Sequence, residues 1–391
     1  ARKAGGGIVG PKLVKLAKVR NDAAKKLGYK NFWYMKVSLQ DHNPETLLAL
    51  FKELDTLTLP PFKAMKTELD KELAARFGVK PAQLRPWHYD NPFFQAPPAS
   101  KAFNIDVFFK KMKKEQIVEM GLAFFKAMGL PMDDLAKKSD FYEKKGKDQN
   151  AFCIDMDRKG DVRTLLNIKP TAKWMDTMLH EGGHAVYDKF VDKTLPYNLR
   201  GAAHIFTTEG VAMLFGATVQ NPAWLTTFAK ADAKIVEKAA KEIAAQRKKE
   251  QLIFTRWTLV MLNFEKDLYD NPDQDLNKLW WDTVERYQLL TRPEKRNSPD
   301  WAAKPHFTIA PVYYHNYMMG ELFAAQMRAH IATLTGHKGP TSKLAFWNNP
   351  KVTSWFKEKV FAPGKRDQWE KMVQLATGTP LSAKAFAQEI K

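Results

Sequence analysis

The sequence predicts a mainly α-helical protein that carries one small β-hairpin. Three observations lead there. Apolar residues recur at three-to-four spacing through most of the 391-residue chain. One stretch alone, residues 151–168, alternates apolar and polar side chains convincingly. Prolines cluster between the helical runs, in "LPPF" (59–62), "APPAS" (96–100) and "NPDQD" (271–275), where they mark breaks and turns.

Helical periodicity covers residues 11–28, 44–58, 61–77, 105–128, 171–192, 205–219, 223–269, 275–291, 311–334 and 366–378. In "AFCIDMDRKGDVRTLLNI" (151–168), Phe152, Ile154 and Met156 alternate, then Val162, Thr164 and Leu166, with "DRKGD" as the turn. No internal repeat is present. The opening "ARKAGGGIVG" (1–10) reads as a flexible lead-in.

Composition narrows the function classes. The chain is 45% hydrophobic and 12% aromatic, so it folds around a core. No apolar run approaches the roughly 18–20 residues of a membrane span. A single cysteine, Cys153, excludes an internal disulfide and a cysteine-based metal site. The formal net charge is +19, which favours acidic partners. The lysines are interspersed with acids along helices such as 230–251, and no nucleic-acid motif is present. A solvated basic surface is therefore expected, with no nucleic-acid partner.

The chemistry concentrates in "MLHEGGHAVYDKF" (178–190). His180 and His184 are one helical turn apart on one face, where two imidazoles can chelate one zinc at about 2.0–2.1 Å. Glu181 is placed as general base for the attacking water, the H-E-x-x-H arrangement. Gly182 and Gly183 each cost a helix interior roughly 1 kcal/mol relative to alanine, which argues for close packing there. A catalytic zinc needs a third protein ligand. Glu209, 25 residues past His184 in the apolar "HIFTTEGVAMLFG" (204–216), is a carboxylate that burial disfavours without a partner. His204 is a rival ligand, but its place near the start of that helix favours a loop or capping role.

Further on, "KPHFTIAPVYYHNY" (304–317) is rich in phenols. A helix opening near Pro311 puts Tyr314 and Tyr317 on one face, with Tyr313 and His315 pointing elsewhere. Phenols can donate to a developing oxyanion, and Lys304 and His306 can bind a carboxylate and a peptide carbonyl. From spacing alone, an aromatic core packing explains these residues equally well.

Together, "HEGGH" (180–184), "TTEG" around Glu209, "KPH" (304–306) and "YYHNYMMGELFAAQ" (313–326) resemble the angiotensin-converting-enzyme-like peptidyl-dipeptidases, a gluzincin family, and most closely its bacterial members. The resemblance runs from about residue 11 to the end. It implies a two-lobed helical ellipsoid with a deep cleft and a small sheet near the zinc, all within a single catalytic domain spanning 11–391. It implies zinc on His180, His184 and Glu209, with Glu181 as base. His306 would contact the scissile-side carbonyl and Tyr317 would donate to the oxyanion. Lys304 with Tyr314 would hold the peptide's C-terminal carboxylate, with Tyr313 as the neighbouring alternative. The strand Cys153, Ile154, Asp155 would pair with the substrate backbone.

Three departures qualify the resemblance. Asn316 stands where animal members carry an arginine that helps bind activating chloride, so chloride activation is not expected. Met213 replaces an aspartate that orients the first histidine there. Family chains also run longer at the N-terminus, where helices cover the cleft, so an open cleft is expected here. The reading is a zinc peptidyl-dipeptidase acting on small peptides. An endo-oligopeptidase of the thimet-oligopeptidase type, a single-residue carboxypeptidase and a peptidase-like binding scaffold are the alternatives. A start without methionine, together with peptidase chemistry, points to the periplasm or outside the cell.

Overall fold

The computed structural model of the protein describes residues 2–98 and 103–391. Among these, the helices are α1 (Gly5–Lys26), α2 (Phe32–Ser38), α3 (Pro44–Phe77), α4 (Lys114–Ala127), α5 (Asp133–Ala136), α6 (Ala172–Phe190), α7 (Ile205–Gly216), α8 (Pro222–Thr227), α9 (Ala233–Asp270), α10 (Leu276–Gln288), α11 (His306–Ile309), α12 (His315–Thr335), α13 (Pro350–Trp355), α14 (Trp369–Thr377) and α15 (Lys384–Glu389). Strands β1 (Phe152–Asp155) and β2 (Val162–Leu165) pair antiparallel, with Cys153 opposite Thr164 and Ile154 opposite Arg163. The protein is therefore mainly α with one small sheet, as its periodicity predicts. No helix among the described residues is long and apolar enough to cross a membrane.

The chain divides into two compact units. The first comprises Ala1–Lys101, Lys248–Met318 and Ile390–Lys391. Its core is aromatic, with Trp33, Phe62, Trp257, Trp280, Phe264 and Trp301 all at 2% exposure or less. Asn21 ties α1 to its neighbours: its amide donates to the Tyr269 carbonyl at 2.7 Å, and its oxygen accepts from Phe32 N at 3.0 Å. The second unit comprises Ala102–Arg247 and Met319–Glu389. It is centred on α6 and α7, which lie side by side, with α4 and the hairpin against α6.

Several boundaries differ from the sequence reading, each for a physical reason. The glycines of 1–10 do not form a flexible lead-in; Gly5–Gly10 are the first turns of α1. A Cβ on Gly6 would lie 2.3 Å from the Pro299 carbonyl oxygen, so this glycine permits close backbone packing. The "LPPF" prolines do not break the chain, because α3 continues through Pro60 and Pro61. Its buried stripe, Leu54, Thr58, Phe62, Lys66 and Leu69, holds it straight through. The buried Arg256 also bonds the Asp55 carboxylate, the Asp55 carbonyl and the Thr58 hydroxyl just before them. The helix expected to open at Pro311 starts at His315. Val312 has φ of 54° and gives its N–H to Glu265 Oε1 at 2.8 Å, which prevents a helical turn there. The 105–128 run is a 3-10 turn at Ile105–Phe108 followed by α4. The "APPAS" break reaches residues 99–100, which lie outside the described residues.

Candidate metal centre

Local chemistry fixes both helices that carry the histidines and Glu209. Thr171 caps α6, its hydroxyl accepting from Trp174 N at 3.2 Å. Asp106 Oδ1 accepts from Ala172 N at 2.7 Å, a carboxylate at the positive end of the helix. His204 caps α7, its Nδ1 accepting from Phe206 N at 3.2 Å, so the rival ligand is a capping histidine.

The paired glycines explain how close the helices come. A Cβ on Gly183 would lie 2.7 Å from Ala212 Cα on α7, and one on Gly182 would lie 2.3 Å from the Phe125 ring on α4. Only glycine permits those approaches. Gly210 does the same for α7 and α12, where a Cβ would meet Phe323 and the Gly320 carbonyl.

The result is a donor cluster. His180, His184 and Glu209 offer ligand atoms that all lie within 4.8 Å of one another. Glu209 Oε2 is 3.6 Å from His180 Nε2 and 3.9 Å from His184 Nε2. Two atoms each about 2.0–2.1 Å from one tetrahedral metal lie about 3.3–3.4 Å apart. The gap therefore suits an ion the size of zinc after a shift of a few tenths of an ångström. His184 Nδ1 is 2.7 Å from the Thr208 hydroxyl, which fixes the ring and leaves Nε2 facing Glu209. The histidine expected to lose its aspartate partner was His180. Met213, at that aspartate's position, packs beside Gly320 and Glu209 instead.

Electrostatics support the same fit. Burial brings His180 down to about 4, with Lys173 adding to the effect. Burial, and then His180, hold His184 well below the usual histidine value. Both rings are thus neutral at physiological pH, the form that binds metal. Burial pushes the Glu209 carboxyl up to about 7. Burial and then Glu209 push Glu181 up to about 8. Burial is the largest cause of both shifts, and a divalent ion on the three ligands would offset that cost.

The hairpin lies against α6 in the same unit. Among the described residues β1 pairs only with β2, so it is an edge strand. Cys153 is close enough to Asp188 and Glu181 for their charges to raise its thiol pKa beyond the effect of burial. Ile154 is 46% exposed.

The remaining candidate residues form a second cluster, in the first unit. Lys304 Nζ donates to Gln95 Oε1 at 2.9 Å and lies 3.5 Å from the Tyr314 hydroxyl. Trp257 Nε1 donates to that hydroxyl at 2.7 Å. The Lys304 ammonium sits 5.1 Å from both the Trp257 and Tyr314 ring centroids, and burial lowers its pKa to about 8. It is 7% exposed, and no carboxylate pairs with it among the described residues. Burying an ammonium among neutral acceptors carries a desolvation cost that a bound anion would offset.

His306 packs 5.0 Å from the Tyr314 ring and 6.3 Å from the Tyr317 ring. Its Nδ1 is buried with no hydrogen-bond partner among the described residues, and burial followed by Lys304 brings its pKa to about 4. Tyr314 is thus the tyrosine beside Lys304. Tyr313 does not point elsewhere as the helical phase predicted; it packs edge-to-face against Tyr317 at 5.2 Å. Tyr313 and Tyr314 both precede α12, so helix phase does not govern them.

Sequence reasoning missed Gln95, Thr208 and Trp257. Thr208 adjoins Glu209 and was within reach of a local reading. Gln95 lies 209 residues from Lys304, and no local signal connects them.

The profile of the angiotensin-converting-enzyme family, peptidase family M2, matches residues 85–388. The match begins later than the residue 11 suggested by the motifs, yet it contains both clusters. With well over half of the chain matched, the protein belongs to the angiotensin-converting-enzyme family of zinc-dependent metallopeptidases.

Proposed function

We propose that the protein is a zinc-dependent peptidyl-dipeptidase that removes C-terminal dipeptides from oligopeptides. The observation that carries this reading beyond the family is the Lys304 cluster. A buried ammonium, an amide oxygen from Gln95 and a phenol from Tyr314 converge, with no anion of their own among the described residues. Such a group binds a free carboxylate and confers preference for a chain terminus.

His180, His184 and Glu209 hold the metal in this reading. When bound, zinc supplies Lewis-acid polarisation of the carbonyl and lowers the pKa of water towards about 7. Glu181 accepts the proton of the attacking water on its carboxylate and then delivers it to the leaving amine. Tyr317 donates its hydroxyl hydrogen to the developing oxyanion, and His306 bonds the neighbouring carbonyl. Loss of one such donor raises the barrier by roughly 3–4 kcal/mol. Cys153, Ile154 and Asp155, on an edge strand, hold the substrate backbone by strand addition. Lys304, Gln95 and Tyr314 grip the terminal carboxylate, so the register is counted from the chain end.

The test is mass spectrometry of products from an N-blocked oligopeptide, as free acid and as C-terminal amide, with zinc-loaded and chelated protein. Stepwise loss of dipeptides from the acid alone, abolished by the chelator, is expected. Internal cuts in both peptides would instead place the enzyme among endo-oligopeptidases. Loss of single residues would make it a carboxypeptidase.

A further inference from the structure

Gln95 reaches Lys304 from a loop whose shape is unusual. Asp90 and Phe94 both have positive φ, 59° and 46°, a region that non-glycine residues rarely adopt. Two side chains hold the loop in that shape. Asn91 Oδ1 accepts from Phe93 N at 3.0 Å. Gln288, the last residue of α10 and 1% exposed, donates through Nε2 to the Phe93 carbonyl at 3.1 Å and the Phe94 carbonyl at 2.8 Å.

A small, half-open pocket adjoins the loop, lined by Phe93, Phe94, Trp280, Trp281 and Gln288 among others. The residue anchored by Gln288 also contacts the anion receptor. The Phe93 ring centroid is 5.8 Å from Lys304 Nζ and 5.3 Å from the Trp257 ring. Gln95 follows two residues later with its oxygen on Lys304. Meanwhile Gln288 is itself anchored. Leu289 ends α10 in the left-handed conformation, with its N–H bonded to Glu285 O at 3.2 Å.

We infer that Gln288 is a positioning residue: by fastening the Phe93 and Phe94 carbonyls it holds Gln95 and Phe93 against Lys304 and so sets affinity for the substrate's terminal carboxylate. Its amide donors are committed to the loop, so it acts through Gln95 and not on the substrate. The inference rests on the carboxylate-receptor reading of the Lys304 cluster.

The experiment compares steady-state kinetics on one peptide as free acid and as C-terminal amide. The proteins are the wild-type chain, Lys304→Met, Gln95→Leu, Gln288→Leu and the Gln95→Leu/Gln288→Leu double variant. If the wild-type chain does not discriminate acid from amide and Lys304→Met changes nothing, the carboxylate reading itself fails. If Lys304→Met abolishes discrimination, the reading stands and Gln288 is tested separately. Gln288→Leu is then expected to raise KM for the acid about tenfold with kcat within twofold. It should move the amide far less, and the double variant should be no worse than Gln95→Leu. An unchanged KM, an equal loss on both peptides, or additive effects in the double variant would overturn the inference. A measurement on the wild-type chain covers the case in which Gln288→Leu does not fold. With selective 15N-glutamine labelling, the Gln95 and Gln288 side-chain amides are expected to shift together on adding a free-acid dipeptide but not its amide. A shift at Gln95 alone would overturn the proposal.

Discussion

Gly183→Ala tests the physical basis of the metal centre most directly. The added Cβ would lie 2.7 Å from Ala212 Cα, a backbone atom that cannot rotate away. Ordinary carbon contact begins near 3.4–3.5 Å, so α6 and α7 must separate locally by about 0.7 Å. Glu209 travels with α7. Its oxygen, now 3.6 Å from His180 Nε2, would move towards about 4.3 Å, roughly 1 Å beyond the spacing of two tetrahedral ligands. Overpacking of this kind costs about 1–3 kcal/mol. The exchange of glycine for alanine in a helix returns about 1 kcal/mol. The expected outcome is a net stability loss of up to about 2 kcal/mol, with zinc affinity lowered about 10–100-fold. Denaturant unfolding of the metal-free protein and zinc titration against a competing chelator measure the two effects. Gly7→Ala is the control, because a Cβ there meets nothing within 4 Å; it should stabilise the protein by up to about 1 kcal/mol. If Gly183→Ala gains stability as Gly7→Ala does and binds zinc unchanged, close helix approach does not shape the site.

Other outcomes follow from the same geometry. Glu181→Gln should retain zinc, measured by metal analysis, and lose turnover by about 10²–10⁴-fold, the range for a general base; normal cleavage would remove Glu181 from that role. The metal-free protein should lose stability as pH rises. The folded-state pKa values of Glu209 and Glu181 are raised to about 7 and about 8, so their contribution is full below the ordinary carboxylate range and is lost on passing through those values. Zinc reverses this, so the difference in melting temperature between zinc-loaded and metal-free protein should widen between pH 6 and pH 9. Lys304 is lowered to about 8 by burial, so kcat/KM for free-acid peptides should fall as pH rises through about 8, while amides show no such limb. Asn316 is bonded to the neutral side chains Gln40 and His42, and burial keeps His42 below its usual pKa. Activity should accordingly be the same within about twofold in chloride and in acetate at equal ionic strength.

The histidine pair and the hairpin were legible because their signals are local. A four-residue spacing on an amphipathic helix sets the facing of His180 and His184, and alternation around "DRKGD" sets β1 and β2. Glu209 was legible for an energetic reason, since a carboxylate inside an apolar helix needs a partner. The glycine pair was correctly read as close packing, but its partners Ala212 and Phe125 lie on other helices.

By itself, then, the sequence determined what short-range periodicity and residue chemistry encode. These are a mainly helical chain, one hairpin, and a histidine pair with an adjacent glutamate on one helix. Tertiary structure decided the rest. Whether Pro60 and Pro61 interrupt α3 depended on a buried stripe and on Arg256, almost 200 residues away. The placement of Tyr313 and Tyr314 depended on the Glu265 carboxylate capturing the Val312 N–H and delaying α12. The partner of Lys304 depended on Gln288 fastening a loop that no local propensity favours. In each case a buried polar group had to find its hydrogen bond, and it found one far along the chain, where no sequence window reaches.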